Sequence, residues 1–200
     1  GGFVETGYDA QGTKKWGDYI TANSFDKDEK MKVNGNEWPK NVTRTYSGNQ
    51  TFRTAIQQSI NTCAVKILAQ VGIDYSADMV EQFGITTLQR EGAVNDMNLA
   101  ALGLGAMAHG TTPLEMAMAY AVFPNGGKLN TPVCYTKVMD SEGKMLLSSD
   151  TKEYKVLDPG VAWIMTDVLK SVVSRGIGYP AAISGVQVGG KTGTTDDKYD

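Results

Sequence analysis

A helix with a clear signal at each end is the feature that most constrains the fold of this chain. It lies in the segment GTTPLEMAMAYAVFPNGG. Thr112 can cap the helix, Pro113 suits its first position, and Glu115 completes a capping box three residues after the cap. Pro124 cannot continue the helix, and the Asn-Gly-Gly sequence after it is typical of a turn. We therefore predict a helix between Thr112 and Pro124.

Apolar residues at helical spacing predict further helices on both sides of it. The segment TFRTAIQQS begins one such pattern at Thr51, and residues 62–72 continue with a second that ends at a glycine. A third helix is predicted from Ser76 to Phe83. A long amphipathic helix is predicted to begin near Pro159 and to end before Gly176.

Strand signals are confined to shorter segments. Two β-rich runs flank residues 140–143 and predict a hairpin, and residues 184–195 read as a further strand. Residues 1–50 are rich in Gly, Asn, Asp, Lys and Thr, which predicts long loops with short strands. We expect one α/β unit with a loop-rich segment (1–50), a helical lobe (51–124), and a hairpin, long helix and strand (125–200).

Composition narrows the range of functions. The net charge is −3 and the pI about 5.2, which argues against nucleic acid or an anionic membrane surface as the main partner. Cys63 and Cys134 lack metal-site spacing, and whether they pair is left open. His109 is the single histidine of the sequence, and we interpret it as structural. We therefore expect no metal site and no cofactor.

The segment VGGKTGTT carries the first candidate chemistry. Lys191 and Gly193 would share one face of an ideal strand, with Thr192 and Thr194 on the other. A lysine beside hydroxyl groups can bind a carboxylate, and a glycine allows close approach of a ligand. A match this short is also compatible with an exposed glycine-rich turn.

The same residues satisfy the spacing of a phosphate-binding loop. Gly185, Gly190, Lys191 and Thr192 fall at the required positions. However, residues 186–188 alternate like a strand inside the supposed loop, and a glycine follows where a helix should begin. A nucleotide-binding protein is therefore a remote alternative.

Ser59 and Asn61 form the second candidate pair. They lie where one helical pattern passes into the next, so that both side chains can point into a cleft. Capping of the following helix is the simpler interpretation of either residue. The same pattern at Ser47 and Asn49 lies in a loop and lacks flanking helices.

Taken together, these segments resemble the transpeptidase domain of class A penicillin-binding proteins, which cross-link bacterial peptidoglycan. The resemblance rests on AIQQSINTCAVKILAQVG, GTTPLEMAMAYAVFPNGG, VLDPGVAWIMTDVLKSVVSRGIG and VGGKTGTTDD, in that order, and covers about residues 50–200. It implies a fold like that of serine β-lactamases and penicillin-binding proteins. A helical lobe with Ser59 and Asn61 would pack on an antiparallel sheet, incomplete here, whose strand carries Lys191.

The resemblance also implies roles for the site residues. Ser59 would relay a proton to the leaving amine, Asn61 would bind the substrate amide, and Lys191 would supply positive potential. Thr192, Gly193 and Thr194 would bind the terminal carboxylate of a peptidoglycan stem peptide. The Thr194 amide would form half of an oxyanion hole, and β-lactams would occupy the same site.

The nucleophile motif of that family, Ser-x-x-Lys at the start of a buried helix, has no convincing match. Ser24 and Lys27 lie in a charged loop, and Ser141 and Lys144 form the predicted hairpin turn. We expect the nucleophile upstream of residue 1, in a parent protein anchored at the extracytoplasmic face of the membrane, and this chain alone to be inactive. A non-catalytic scaffold of the same fold and a serine β-lactamase are the alternatives.

Overall fold

The computed structural model describes residues 5–8, 14–16 and 22–193. Its helices pack against one another and are joined by loops and short strands. In chain order they are α1 (Phe52–Gln57), α2 (Asn61–Val71), α3 (Ile73–Gln82), α4 (Leu99–Leu104), α5 (Pro113–Ala121) and α6 (Pro159–Arg175), followed by a 3-10 turn at Tyr179–Ala181. None of the helices in these ranges combines the length and apolar character needed to cross a bilayer.

The strands are short and pair two by two in antiparallel ladders within the described ranges. Their bounds are β1 Glu5–Tyr8, β2 Lys14–Trp16, β3 Phe25–Asp28, β4 Lys32–Val33, β5 Asn36–Glu37, β6 Gly48–Thr51, β7 Lys128–Asn130, β8 Lys137–Met139, β9 Met145–Ser148 and β10 Glu153–Lys155. The pairs are β1–β2, β3–β6, β4–β5, β7–β10 and β8–β9. The hairpin predicted around residues 140–143 is confirmed as β8–β9.

The predicted helices are confirmed, with small shifts at their ends. Thr112 and Glu115 form the expected capping box of α5, and Asp158 caps α6 immediately before its first-turn proline. Helix α3 begins three residues earlier than predicted. Helix α4 was not predicted, because two glycines interrupt its apolar run; Asn98 caps it by accepting two backbone N–H bonds.

The core lies between α1, α2, α4 and α6. Phe52, Val65, Ala101 and Val172 are among its buried apolar side chains. Cys63 is buried there as a free thiol, whereas Cys134 is exposed and also free, so the two do not pair.

The strand predicted over residues 184–195 is not formed in the part of this segment that the structure describes. Residues 187–193 have an irregular backbone, and Gly190 donates its N–H to the Leu169 carbonyl of α6 (3.3 Å). A strand needs a neighbouring strand to pair with, and none of the described strands pairs with this segment. Positions 194 and 195 lie outside the described residues.

The Glu115 carboxylate of the α5 capping box should make the thermal stability of the fold depend on pH in the acid range. Thr86 and Thr112 donate side-chain and backbone hydrogen bonds to the Glu115 carboxylate, which lowers its pKa from 4.5 to about 2. A depressed pKa stabilises the fold above the unfolded value, and this stability is lost as the pH falls from 4.5 towards 2. In thermal unfolding followed by circular dichroism, Glu115→Gln should flatten the pH dependence in that window. Glu142→Gln, in the exposed hairpin turn, should leave it unchanged; equal profiles for both variants would contradict the assignment.

Candidate active site

Ser59 occupies a strained position at the junction of α1 and α2. Its φ angle is 53°, in the left-handed region. Such a conformation costs a residue with a side chain about 1–2 kcal/mol. Backbone bonds from Ser59 to Ile56 (3.2 Å) and from Ile60 to Ala55 (2.9 Å) hold the turn. The surrounding structure therefore imposes this conformation, as often happens at functional sites.

Lys191 contacts this serine, although the two residues are 132 positions apart in the sequence. Its Nζ donates to Ser59 Oγ at 2.6 Å and to the Thr192 carbonyl at 2.9 Å, and lies 3.4 Å from Thr192 Oγ1. Burial lowers the pKa of the Lys191 ammonium. Among the residues that the structure describes, no carboxylate lies within ion-pair distance of this ammonium group, so its charge is available to an anionic ligand.

Helix α6 holds both partners in place. Beyond its end, Ile177 donates its N–H to the Gln57 carbonyl at the end of α1 (3.1 Å). An ion pair between Arg53 and Asp167 (2.7 Å) adds a side-chain contact between the same two helices. On the Lys191 side, the Gly190 N–H bonds to Leu169. The two residues of the pair are thus fixed to the C-terminal half of one helix.

Gly176 makes the contact between α1 and α6 possible. A Cβ at this position would lie 2.6 Å from the Gln57 carbonyl oxygen and 2.8 Å from that of Val172. Both neighbours are backbone atoms, so Gly176→Ala should force the helix ends apart and lower the free energy of unfolding by about 1–3 kcal/mol. Gly190→Ala is the matched control, since a Cβ there meets open space. Urea denaturation measures both, and equal losses would refute the steric argument.

Asn61 begins α2 and is held by a loop far upstream. Its Nδ2 donates to the Lys40 carbonyl (2.9 Å), and its backbone N–H donates to Asn41 Oδ1 (3.1 Å). The second Nδ2 hydrogen and the side-chain oxygen can still serve a ligand. Sequence reasoning missed Lys40 and Asn41, because isolated polar residues in a loop-rich segment have no periodicity to mark them.

The remaining candidates divide into three groups. Thr192 and Gly193 follow Lys191 and are exposed, whereas Thr194 lies outside the described residues. In the Ser24–Lys27 match, Ser24 immediately precedes β3 and Lys27 lies within that strand. A hydrogen bond from Lys27 to Glu29 raises the pKa of the lysine, opposite to what a general base needs. The Ser141–Lys144 match lies in the exposed turn of the β8–β9 hairpin, and His109 is exposed.

The phosphate-loop alternative finds no support in the geometry. Residues 185–193 themselves are not helical, and the Gly190 N–H that would face a phosphate is bonded to α6. Within the described ranges, no group of three or more His, Cys, Asp or Glu is arranged to hold a metal ion.

An apolar cavity of about 540 Å³ opens beside Lys191. Side chains of α1, α3, α4, α5 and α6 line it, among them Ile56, Phe83, Leu102, Tyr120 and Leu169. Its walls are almost entirely hydrocarbon, and Lys191 is the one charged residue among those that line it. The cavity thus offers room for several apolar side chains directly next to the cation.

The family model of the penicillin-binding protein transpeptidase domain matches residues 19–200. The chain belongs to this transpeptidase family. Penicillin-binding protein 1A of Clostridium botulinum is 41% identical to it over 160 residues, which are 80% of this chain and 19% of that protein. The chain thus spans about a fifth of the length of that curated relative.

Solved structures show the same transpeptidase fold. Penicillin-binding protein 1A from Haemophilus influenzae matches with a TM-score of 0.73 and 26% identity, over 96% of this chain and 32% of that one. The D,D-transpeptidase domain of a peptidoglycan glycosyltransferase from Eggerthella lenta matches with a TM-score of 0.72 and 22% identity, over 88% of this chain and 49% of that one. The resemblance seen in the sequence is confirmed, and with it the mixed helix-and-sheet fold class.

Proposed function

We propose that this chain supplies two of the three sequence motifs that form a peptidoglycan D,D-transpeptidase site. The observation that carries the proposal is the 2.6 Å contact between Lys191 Nζ and Ser59 Oγ. It joins the two motifs that the family resemblance assigns to one site. A half-buried ammonium without a carboxylate partner among the described residues suits a substrate that ends in a carboxylate.

The proposed reaction is acyl transfer through a serine ester. The nucleophilic serine, from a segment upstream of Gly1, attacks the carbonyl carbon of the D-Ala-D-Ala bond and the terminal D-Ala leaves as its amine. Ser59 relays the proton to this amine, and Lys191 with Thr192, Gly193 and Thr194 holds the terminal carboxylate. Asn61 binds the amide of the stem peptide. An amine from a neighbouring peptidoglycan strand then takes the acyl group, and β-lactams acylate the same serine.

The apolar cavity beside Lys191 supports an upstream nucleophile. In the family that the chain resembles, the serine begins a buried helix, and apolar side chains of such a helix would fill a cavity lined by hydrocarbon. We propose residues 1–200 as part of one transpeptidase domain. The parent protein would be membrane-anchored and act on the extracytoplasmic face of the bacterial cytoplasmic membrane.

Labelling with fluorescent penicillin, read by intact mass and peptide mapping, tests the proposal. This chain alone should form no adduct, and a longer version that begins further upstream should gain one acyl group on an upstream serine. An adduct on Ser24 or Ser59 of the chain alone would refute its inactivity. No adduct on the longer version would favour a non-catalytic scaffold, and an adduct released within seconds would favour a serine β-lactamase.

A further inference from the structure

The first turn of α2 obtains its cap from a distant loop. Ile60 stands at the capping position and has no side-chain oxygen to accept the free N–H groups of the first turn. Asn41 supplies the missing acceptor. The Asn41 Oδ1 accepts a hydrogen bond from the N–H of Asn61 (3.1 Å) and a weaker one from that of Thr62 (3.4 Å). The N-terminus of α2 is therefore fixed by a residue 20 positions upstream.

Asn41 is itself held in one orientation. Its Nδ2 donates to Asp28 Oδ1 (2.7 Å) and to the Thr45 carbonyl (3.0 Å). Because both partners can only accept, the amide nitrogen must face them and the amide oxygen must face α2. Asp28 and Asn41 are 2% and 5% exposed, so water does not compete for these bonds.

Asp28 anchors the arrangement. Thr62 Oγ1 donates to one carboxylate oxygen (2.7 Å), and the N–H and hydroxyl of Ser47 donate to the other (2.8 Å each). Burial alone would raise the pKa of Asp28, but the hydrogen bonds from Thr62, Asn41 and Ser47 outweigh it and lower the pKa. The carboxylate is thus a fixed, ionised acceptor at neutral pH.

A second contact ties the same loop to the site. The Lys40 carbonyl accepts from Asn61 Nδ2 (2.9 Å), so consecutive loop residues hold both the side chain and the main chain of Asn61. Ser59 precedes Asn61 by two residues, in a backbone conformation that its neighbours must enforce. A shift of the α2 N-terminus would therefore move both side chains relative to Lys191.

We infer that Asn41, oriented by Asp28, is a positioning residue that sets the Ser59–Asn61 turn against Lys191. The inference rests on the proposed acyl-transfer function. It assigns a role to a loop outside the motifs that identify the family in this chain. Asn41 touches no reacting atom in this arrangement and acts through the helix that it caps.

The test compares two asparagine caps in the full-length parent protein. Asn98 Oδ1 caps α4 by accepting from Ala100 and Ala101 (3.0 Å each), just as Asn41 caps α2. Leu102 of α4 lines the apolar cavity, but α4 carries none of the residues assigned to proton relay or substrate binding. At a temperature where both variants are folded, Asn41→Ala should lower the rate constant of penicillin acylation by about 10- to 100-fold. Asn98→Ala should change it less than about twofold, although both lose a cap of the same kind. Equal rates for the two variants would overturn the inference.

An exchange of the buried pair separates positioning from stability. Asn41→Asp places two carboxylates side by side, and the double variant Asp28→Asn/Asn41→Asp restores one donor and one charge. The double variant should acylate faster than Asn41→Asp alone, although not fully, since the Thr45 carbonyl then faces an acceptor. A double variant no faster than the single would also overturn the inference. If the unsubstituted parent is not labelled at all, the proposed function fails instead.

Discussion

Replacing Lys191 with methionine is expected to lower penicillin acylation of the parent protein by about 100- to 1,000-fold, the usual effect of removing one electrostatic stabiliser. Methionine keeps the length of the apolar stem and removes the ammonium that contacts Ser59. Stopped-flow acylation or a time course of fluorescent labelling measures the rate. Lys144→Met, in the exposed hairpin turn, is the control and should label normally.

The same variant should make the fold more stable at neutral pH. Burial lowers the pKa of Lys191, so that the charged form is disfavoured in the folded state. This cost is present at neutral pH and disappears as the pH rises to the unfolded lysine value near 10.4. Urea unfolding of Lys191→Met should therefore show a gain at pH 7 that vanishes above pH 10. A variant that is both less stable and less active would point to a structural role instead.

Removing the hydroxyl of Ser59 should have an effect of similar size. Ser59→Ala and Ser59→Gly should each lower the acylation rate by about 100- to 10,000-fold, as expected for loss of a proton relay. Their stabilities should differ, because alanine keeps the left-handed strain and glycine relieves about 1 kcal/mol of it. Labelling rates measured beside urea unfolding separate the two effects.

Ser141→Ala serves as the matched control for the serine variants, since it removes an exposed hydroxyl in the hairpin turn. Ser141→Ala should change neither the acylation rate nor the free energy of unfolding. Activity that followed stability across the three variants, with glycine more active than alanine, would contradict a role for the hydroxyl in the reaction.

Local signals account for what the sequence could predict of the fold. Three such signals are the capping box at Thr112, the proline at the start of α6 and the turn residues of the β8–β9 hairpin. Each of them depends only on residues that are close together in the sequence. The strand predicted over residues 184–195 is not formed in residues 184–193, the part that the structure describes. A ladder depends on a neighbouring strand, which alternation along one segment cannot reveal. Helix α4 was missed because Gly103 within it and Gly105 just after it weaken the helical signal.

In the candidate site, too, the features that depend on contacts between distant residues could not be predicted from local sequence patterns. Proximity of Ser59 and Lys191 could not be derived from spacing and followed only from the family resemblance. Asp28 and Asn41 were missed altogether, since their importance lies in burial and in contacts with α2 that no short pattern encodes. Thr194, assigned by resemblance, stays a prediction.

The attachment of both site residues to α6 has a dynamic consequence. Ser59 is tied to this helix through the bond between Ile177 and Gln57, and Lys191 through the bond between Gly190 and Leu169. A rigid-body displacement of α6 therefore carries the two side chains together and leaves their separation unchanged. Apart from the loop that carries Lys40 and Asn41 and holds the start of α2, the surrounding loops should then fluctuate largely without changing the distance on which the proposed proton relay depends. In hydrogen exchange, the amides of Ile177 and Gly190 should open together with the helix.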